Sequence, residues 1–393
     1  MSKLLSRQGV RDLCLGLGLL CATLALMFWP QEAMEAAREG LRLCYNVILP
    51  SLFPFFVLSA LVVDLGLAGY IGRALEGLMR PLFRVPGACA SAFVLGFVGG
   101  YPVGARTALS LYQKGMCTKT EAERLLAFCN NSGPAFILGV VGAGVFASSR
   151  VGVLLYLAYA AASVCVGLLF RFYRGEEGRR EGRAAPTFQA ERFTTAFTGA
   201  IKNSFLSTLN ICAFVVFFTV VIQLLIRSGL LPALAGLLGT LLAPFGLTPE
   251  WAQRLLTGAL ELSTGVTTLM GDGSLSGRLV AAAFMLGWAG ISVHCQVLSF
   301  LGGSGLSAGT YLAGKLLHGG LSALFTAALV RLFPLEAPVS DYLAEQVAGI
   351  AGMEFHSTLV ISTVCAWVLF LAFLFTAAAG VRKGLGKGRR PVL

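Results

Sequence analysis

Four short runs in this chain hold residues whose types and spacing suit chemistry. The first is Gly99-Gly-Tyr-Pro-Val-Gly-Ala-Arg106, set in apolar sequence. Gly100 and Gly104 permit positive φ or close backbone approach, and Pro102 ends one half-helix while admitting the start of the next. With Tyr101 they make a hairpin tip. The second half-helix would aim free N–H groups and a positive dipole end at the cavity, and Arg106 adds a full charge one turn later, a set that suits an anion. The competing reading is a glycine-packed crossing with Arg106 paired to a carboxylate or snorkelling to the interface.

The second run, Asn130, Asn131, Ser132 and Gly133 before Pro134, supplies amides and a hydroxyl where lipid supplies none. These groups either bind a substrate or mend the break that proline makes and join helices. In the third run, Glu261, Ser263, Thr264 and Gly265, a continuous helix would put Glu261, Thr264, Gly265 and Thr268 on one face. A carboxylate at membrane depth costs roughly 2.5–3.5 kcal/mol on insertion scales, so Glu261 needs a salt-bridge partner, a proton or a cation. The fourth run holds Ser292, His294 and Gln296. His294 is a second coupling candidate because imidazole titrates near neutral pH; otherwise the three form a hydrogen-bonded structural face.

No nucleophile and base, paired carboxylates, P-loop or nucleotide fingerprint accompanies these runs, so an enzyme is not expected. Three histidines and ten scattered cysteines, with no C-x-x-C pair, give no reason to expect a metal, a cofactor or a disulfide framework.

The elements that must carry the runs are membrane helices. Of 393 residues, 56% are hydrophobic and 12% charged, with mean hydropathy +0.79; a soluble domain carries about 25% charged residues. The net charge of +11 lies in loops and tails between apolar stretches, the positive-inside pattern, so nucleic acid is not an expected partner. About 20 apolar residues make a span. By that measure the spans are 13–29, 41–66, 121–147, 151–170, 200–226, 277–300, 310–333 and 356–380, with re-entrant hairpins at 88–112 and 250–270. The first is read as a retained span rather than a cleaved leader. Basic loops place both termini in the cytoplasm, and the segments with Glu32, Glu35 and Glu39 and from Glu336 to Glu354 outside.

Two halves echo each other in order. Asn46-Val-Ile-Leu-Pro-Ser-Leu52 matches Asn203-Ser-Phe-Leu-Ser-Thr-Leu209, and Arg80 to Pro86 matches Ala243 to Pro249. Tyr101-Pro-Val-Gly104 falls opposite Leu262-Ser-Thr-Gly265, and Phe128 to Pro134 opposite Phe284 to Gly290. The charge rule starts the copies on opposite sides, so the repeat is inverted, as in secondary transporters with a site at the repeat interface. The expected architecture is an all-α polytopic membrane protein. Residues 1–40 form the first span and external loop, 41–170 the first repeat, 171–196 a basic cytoplasmic linker, 197–333 the second repeat, and 334–393 an external loop, last span and basic tail.

The set Leu49-Pro-Ser-Leu-Phe-Pro-Phe-Phe56, Met79-Arg-Pro-Leu-Phe-Arg-Val-Pro-Gly87, Gly99 to Arg106, Asn130 to Pro134 and Gly290-Ile-Ser-Val-His-Cys-Gln-Val297 resembles the YlbJ-type sporulation integral membrane proteins, also called SpoVV, over nearly the whole chain. That resemblance implies a nucleoside-recognition Gate domain, distantly similar to concentrative nucleoside transporters. It also implies a role in moving dipicolinate out of the mother cell across the outer forespore membrane. Related nucleoside carriers place a carboxylamide and a carboxylate in the first hairpin; Gly100-Tyr101-Pro102 has neither. The expected function is therefore secondary transport of a small organic anion, dipicolinate first, coupled to a proton or sodium and compatible with an oligomer. A nucleoside or other heterocycle carrier, and a non-transporting sporulation scaffold, are the alternatives.

Overall fold

The computed structural model describes residues 7–174 and 193–333. The expected span 356–380, the basic tail and most of the linker lie outside these residues.

Every regular element among the described residues is helical. The chain opens with α1 (Arg7–Phe28) and the amphipathic α2 (Pro30–Leu43), which begins with proline in its first turn and carries Glu32, Glu35 and Glu39. The expected span 41–66 falls on helix that continues from α2 through a π-helical turn, Cys44–Ile48, into α3 (Leu49–Asp64). Gly66, in the left-handed region at φ 78°, reverses the chain into α4 (Leu67–Phe83). Two half-helices follow, α5 (Ala90–Gly99) and α6 (Val103–Gln113), then α7 (Lys119–Cys129). Past a non-helical gap the chain resumes as a π-helical stretch, Ala135–Val145, and then α8 (Ser149–Phe170).

The second half runs through the same order of elements. The 35-residue α9 (Phe193–Arg227) reaches Gly229, again left-handed at φ 76°, and turns into α10 (Leu230–Leu241). The half-helices α11 (Pro249–Leu260) and α12 (Leu262–Thr267) come next. They are followed by the broken pair α13 (Leu275–Trp288) and α14 (Gly290–Leu301), and by α15 (Ala308–Leu332).

The sequence marks most of these starts. Thr118 and Glu121 form a reciprocal capping box at α7, and Ser148, Ser274 and Ser307 each accept the backbone N–H three residues on, satisfying donors the first turn leaves free.

Val10–Phe28, Ser149–Phe170, Phe193–Arg227, Leu275–Leu301 and Ala308–Leu332 are long and apolar enough to cross a bilayer. Arg73–Phe83 with Gly87–Gly99, bent by 92°, adds a sixth among the described residues if counted as one span. The expected continuous span 121–147 is two pieces, because Pro134 has no N–H and the four residues before it leave the helix. Large apolar side chains such as Leu157, Phe217, Leu316 and Leu324 are exposed on the outside of these helices. This is an integral membrane protein, and the bilayer is what covers that surface.

Small residues let the broken elements touch backbone to backbone. A Cβ on Gly96 or Gly104 would lie 2.0 or 1.9 Å from the carbonyl oxygen of Cys129, and near the Cα of the other glycine, so α5 and α6 fold against each other and straddle the end of α7. Gly258 and Gly265 bring α11 and α12 together in the same way, and Gly287 and Gly319 join α13 to α15. In a membrane, where apolar burial between helices gains little, close packing of this kind is a principal source of cohesion.

Candidate functional site

An interrupted helix leaves carbonyls without their usual N–H partner four residues on, and each must be satisfied from elsewhere. After Cys129 the backbone of Asn130 turns extended, at φ −88° and ψ 93°. The carbonyl of Phe128 accepts Asn131 Nδ2 and Ser163 Oγ, both at 2.9 Å. The amide N–H of Ser132 donates to the Tyr159 hydroxyl at 2.7 Å. The carbonyl of Asn130 would face residue 134, a proline with nothing to donate; its partner is the ammonium of Lys315, from the middle of α15, at 3.0 Å.

Lys315 is 1% exposed and spends its remaining donors on the Tyr101 hydroxyl at 3.2 Å and His318 Nδ1 at 3.2 Å. Its ammonium also stands 4.8 Å from the centre of the Tyr101 ring. The network assigns the tautomer of His318: Nδ1 accepts from Lys315, so Nε2 carries the proton and donates to the carbonyl of Tyr159 at 3.0 Å. The Tyr101 hydroxyl in turn donates to the carbonyl of Leu286 at 2.5 Å and lies 2.8 Å from the Tyr159 hydroxyl. Leu286 is in the last turn of α13, so its carbonyl is one that the second break frees. Tyr101 and Lys315 together thus serve freed carbonyls of both broken spans.

All three partners of Lys315 are neutral. Among the described residues no carboxylate pairs with it. In its protonated form Lys315 is a buried cation with no carboxylate beside it in a low-dielectric interior, where it acts strongly on any anion that arrives.

One hydrogen bond away lies a second group. Asn130 Nδ2 donates to the Tyr311 hydroxyl at 3.3 Å, which meets His294 Nδ1 at 3.0 Å. Asn130 Oδ1 and His294 Nε2 are buried with no partner. Because Tyr311 has one proton to give, the three residues leave one donor and one acceptor open whichever way the Asn130 amide is turned. Trp288 packs edge-on against His294, with ring centres 4.3 Å apart, and ties α13 to α11 through Nε1 donating to the Ala259 carbonyl at 3.1 Å.

The structure brings Gly100, Tyr101, Asn130, Asn131, Ser132 and His294 into or beside this network. Gly100, at φ 77°, abuts Gly133: a Cβ would meet the Gly133 nitrogen at 3.0 Å. Pro102, cis to Tyr101, precedes α6, and Gly104 sits under the Cys129 carbonyl. Arg106 lies apart. Its guanidinium donates to the Asn203 carbonyl at 3.2 Å, stands 5.3 Å from the centre of the Phe56 ring, and keeps Nη1 buried without a partner.

Glu261 does not share a helical face with Thr264 and Gly265. The helix breaks at Glu261, at φ −144° and ψ 123°, and its carboxylate caps α12 by accepting the N–H groups of Ser263 at 3.0 Å and Thr264 at 2.7 Å. Capping satisfies both oxygens more locally than a salt bridge would, and among the described residues no cation pairs with it. Ser292 and Gln296 are buried, their side chains 3.5 Å apart on α14.

Lys315, His318, Tyr159 and Tyr311 are the residues that reading the runs missed. The signal was present: Tyr311, Lys315 and His318 fall at i, i+4 and i+7 of an otherwise apolar span, and ionisable residues inside a span are functional by default.

Three comparisons bear on this architecture. The family model described as Gate, nucleoside recognition, matches residues 46–213 and 208–304. The sporulation integral membrane protein YlbJ of Bacillus subtilis is 31% identical over 328 residues, 79% of this chain and 80% of that protein. An uncharacterised protein of Alkalihalophilus pseudofirmus is 33% identical over 109 residues, 27% of this chain and 23% of its own. Among solved structures, a double variant of CNTnw in an outward-facing state aligns with a TM-score of 0.44 at 15% identity, covering 83% of this chain and 87% of that one. The family model covers most of the chain and the match spans four-fifths of the YlbJ relative: the chain belongs to the nucleoside-recognition Gate family and to the YlbJ sporulation integral membrane proteins.

Proposed function

We propose that this protein is a secondary transporter of a small organic anion, with dipicolinate as the substrate, exported from the mother cell across the outer forespore membrane. The observation that carries the reading is Lys315: a buried ammonium held by neutral groups where two interrupted spans and a hairpin tip meet. A planar dianion gains most from a fixed charge in a site that excludes water. The eight-span arrangement, the re-entrant hairpins and the inverted orientation of the two halves belong to this proposal, as does movement of the hairpin-bearing elements against a scaffold. Asn130, Asn131, Ser132 and Tyr101 line the substrate's side of the breaks; Glu261 and His294 are its coupling groups.

The open donor and acceptor on His294 and Asn130 favour one second reading, a carrier for a heterocycle whose edge offers the complementary pair. Flux of labelled dipicolinate into vesicles carrying only this protein decides. Saturable uptake, displaced by other dicarboxylates and not by nucleosides, is expected. Displacement by nucleosides alone would transfer the site to the heterocycle reading, and no saturable uptake of either would end the carrier proposal.

A further inference from the structure

Interrupted helices in secondary transporters commonly present their unwound carbonyls to a mobile coupling cation. Here the carbonyl that Pro134 leaves uncapped faces the tip of the first hairpin, and the position between them is filled. The Lys315 nitrogen has an oxygen of the broken span at 3.0 Å, the hydroxyl of the hairpin tip at 3.2 Å and an imidazole nitrogen at 3.2 Å. That makes one acceptor for each of its three protons. Burial of the side chain leaves the ammonium no water to exchange with. An ammonium and a hydrated-then-stripped monovalent ion make the same demand, a small cage of oxygen and nitrogen lone pairs. Two positive charges cannot share such a cage: at 4 Å, unit charges repel by about 4 kcal/mol even at an effective dielectric of 20.

We infer that the Lys315 ammonium is a tethered counter-cation, filling the place between the first hairpin and the first broken span that a free sodium ion would otherwise take, so that loading this site needs no sodium. The inference rests on the carrier reading for its role in transport, but the occupancy of the cage stands on geometry alone. Its corollary is specific. Removing the ammonium vacates a cage of the Asn130 carbonyl, the Tyr101 hydroxyl and His318 Nδ1, and sodium can enter it. A small cation of this kind binds the folded protein and not the unfolded one, and therefore raises thermal stability with the logarithm of its concentration once that exceeds its dissociation constant.

The test is the thermal midpoint of the purified full-length chain in detergent, titrated with sodium chloride against choline chloride at constant ionic strength. Wild type is expected to melt at the same temperature in both salts, and Lys315→Ala to gain a sodium-specific increase that grows with the logarithm of sodium concentration. Tyr101→Phe, which keeps the ammonium and removes one acceptor, is expected to remain indifferent to sodium. A sodium-specific rise of that kind in wild type would overturn the inference, whether or not the alanine variant folds, and so would a folded Lys315→Ala that ignores sodium. Dipicolinate is absent from this experiment, so an error in the substrate leaves its outcome unchanged.

Discussion

The ammonium of Lys315 donates to the backbone carbonyl of Asn130, a residue 185 positions away, the one carbonyl that Pro134 cannot serve. A proline break in α7 and a lysine in α15 are therefore two halves of one feature. Without the lysine the break would leave a buried carbonyl bare, at about 1–3 kcal/mol. Without the break the lysine would lose the nearest of its three acceptors.

Lys315→Met follows as the first prediction. Methionine preserves length and apolar volume and deletes the charge, so the protein is expected to insert and accumulate in membranes. Dipicolinate flux is expected to fall at least about tenfold, well inside the roughly 4 kcal/mol that unit charges exert on each other at 4 Å and an effective dielectric of 20. Lys315→Arg is expected not to restore it, because a planar fork of five donors does not fit three acceptors arranged for an ammonium. Vesicle uptake normalised to protein in the membrane checks both.

Arg106 gives the contrast. Its guanidinium is held by the Asn203 carbonyl and the face of Phe56, away from the Lys315 network. Arg106→Met is expected to lower stability by about 1 kcal/mol through the lost hydrogen bond and ring contact, and to leave most of the flux. Loss of flux at unchanged stability would return the substrate's charge partner to Arg106, as its place after the first hairpin tip suggests.

The close backbone contacts make a third prediction. A Cβ at Gly104 would lie 1.9 Å from the Cys129 carbonyl oxygen, and neither atom belongs to a flexible side chain. Gly104→Ala is expected to destabilise by about 3 kcal/mol or to prevent folding. On α15, Gly320 has nothing within 4 Å of the added carbon, and Gly320→Ala is expected to stabilise by about 0.5–1 kcal/mol, the helix preference alone. Thermal unfolding of the two variants beside wild type reads the difference.

What could be read without coordinates follows from which signals are local. Glycine and proline break helices through their own backbone, so the gaps at Gly100 to Pro102 and before Pro134 were legible from residue type. Glu261 was legible as a buried acid but misplaced on a helical face, since nothing in Leu260-Glu-Leu-Ser263 announces a break there. Lys315 and His318 went unremarked because α15 reads as one more apolar span; their importance comes from Tyr101, Asn130 and Tyr159, which are distant in sequence. Tyr311 shares a helical face with Lys315 and His318, but Tyr159 carries no local sign, since a tyrosine in a span is usually an interface residue. Only packing turns their hydroxyls inward.

Glu261 closes the set, because its geometry separates two roles that its sequence position leaves together. As a cap on α12 it holds two backbone N–H groups, and replacing an N-cap by alanine costs about 0.5–2 kcal/mol. Glutamine keeps one of the two acceptor oxygens and loses the charge, so Glu261→Gln is expected to fold with a smaller deficit than Glu261→Ala, about 1 kcal/mol for the one capping bond lost. A cap alone would leave transport energetics unaltered. A proton-coupling carboxylate would not: in Glu261→Gln, dipicolinate uptake is expected to lose its response to an imposed pH gradient while uptake down its own gradient persists. Should the glutamine variant still respond to the pH gradient as wild type does, Glu261 is a cap only, and coupling passes to His294, whose unpartnered Nε2 makes His294→Gln the next substitution to measure.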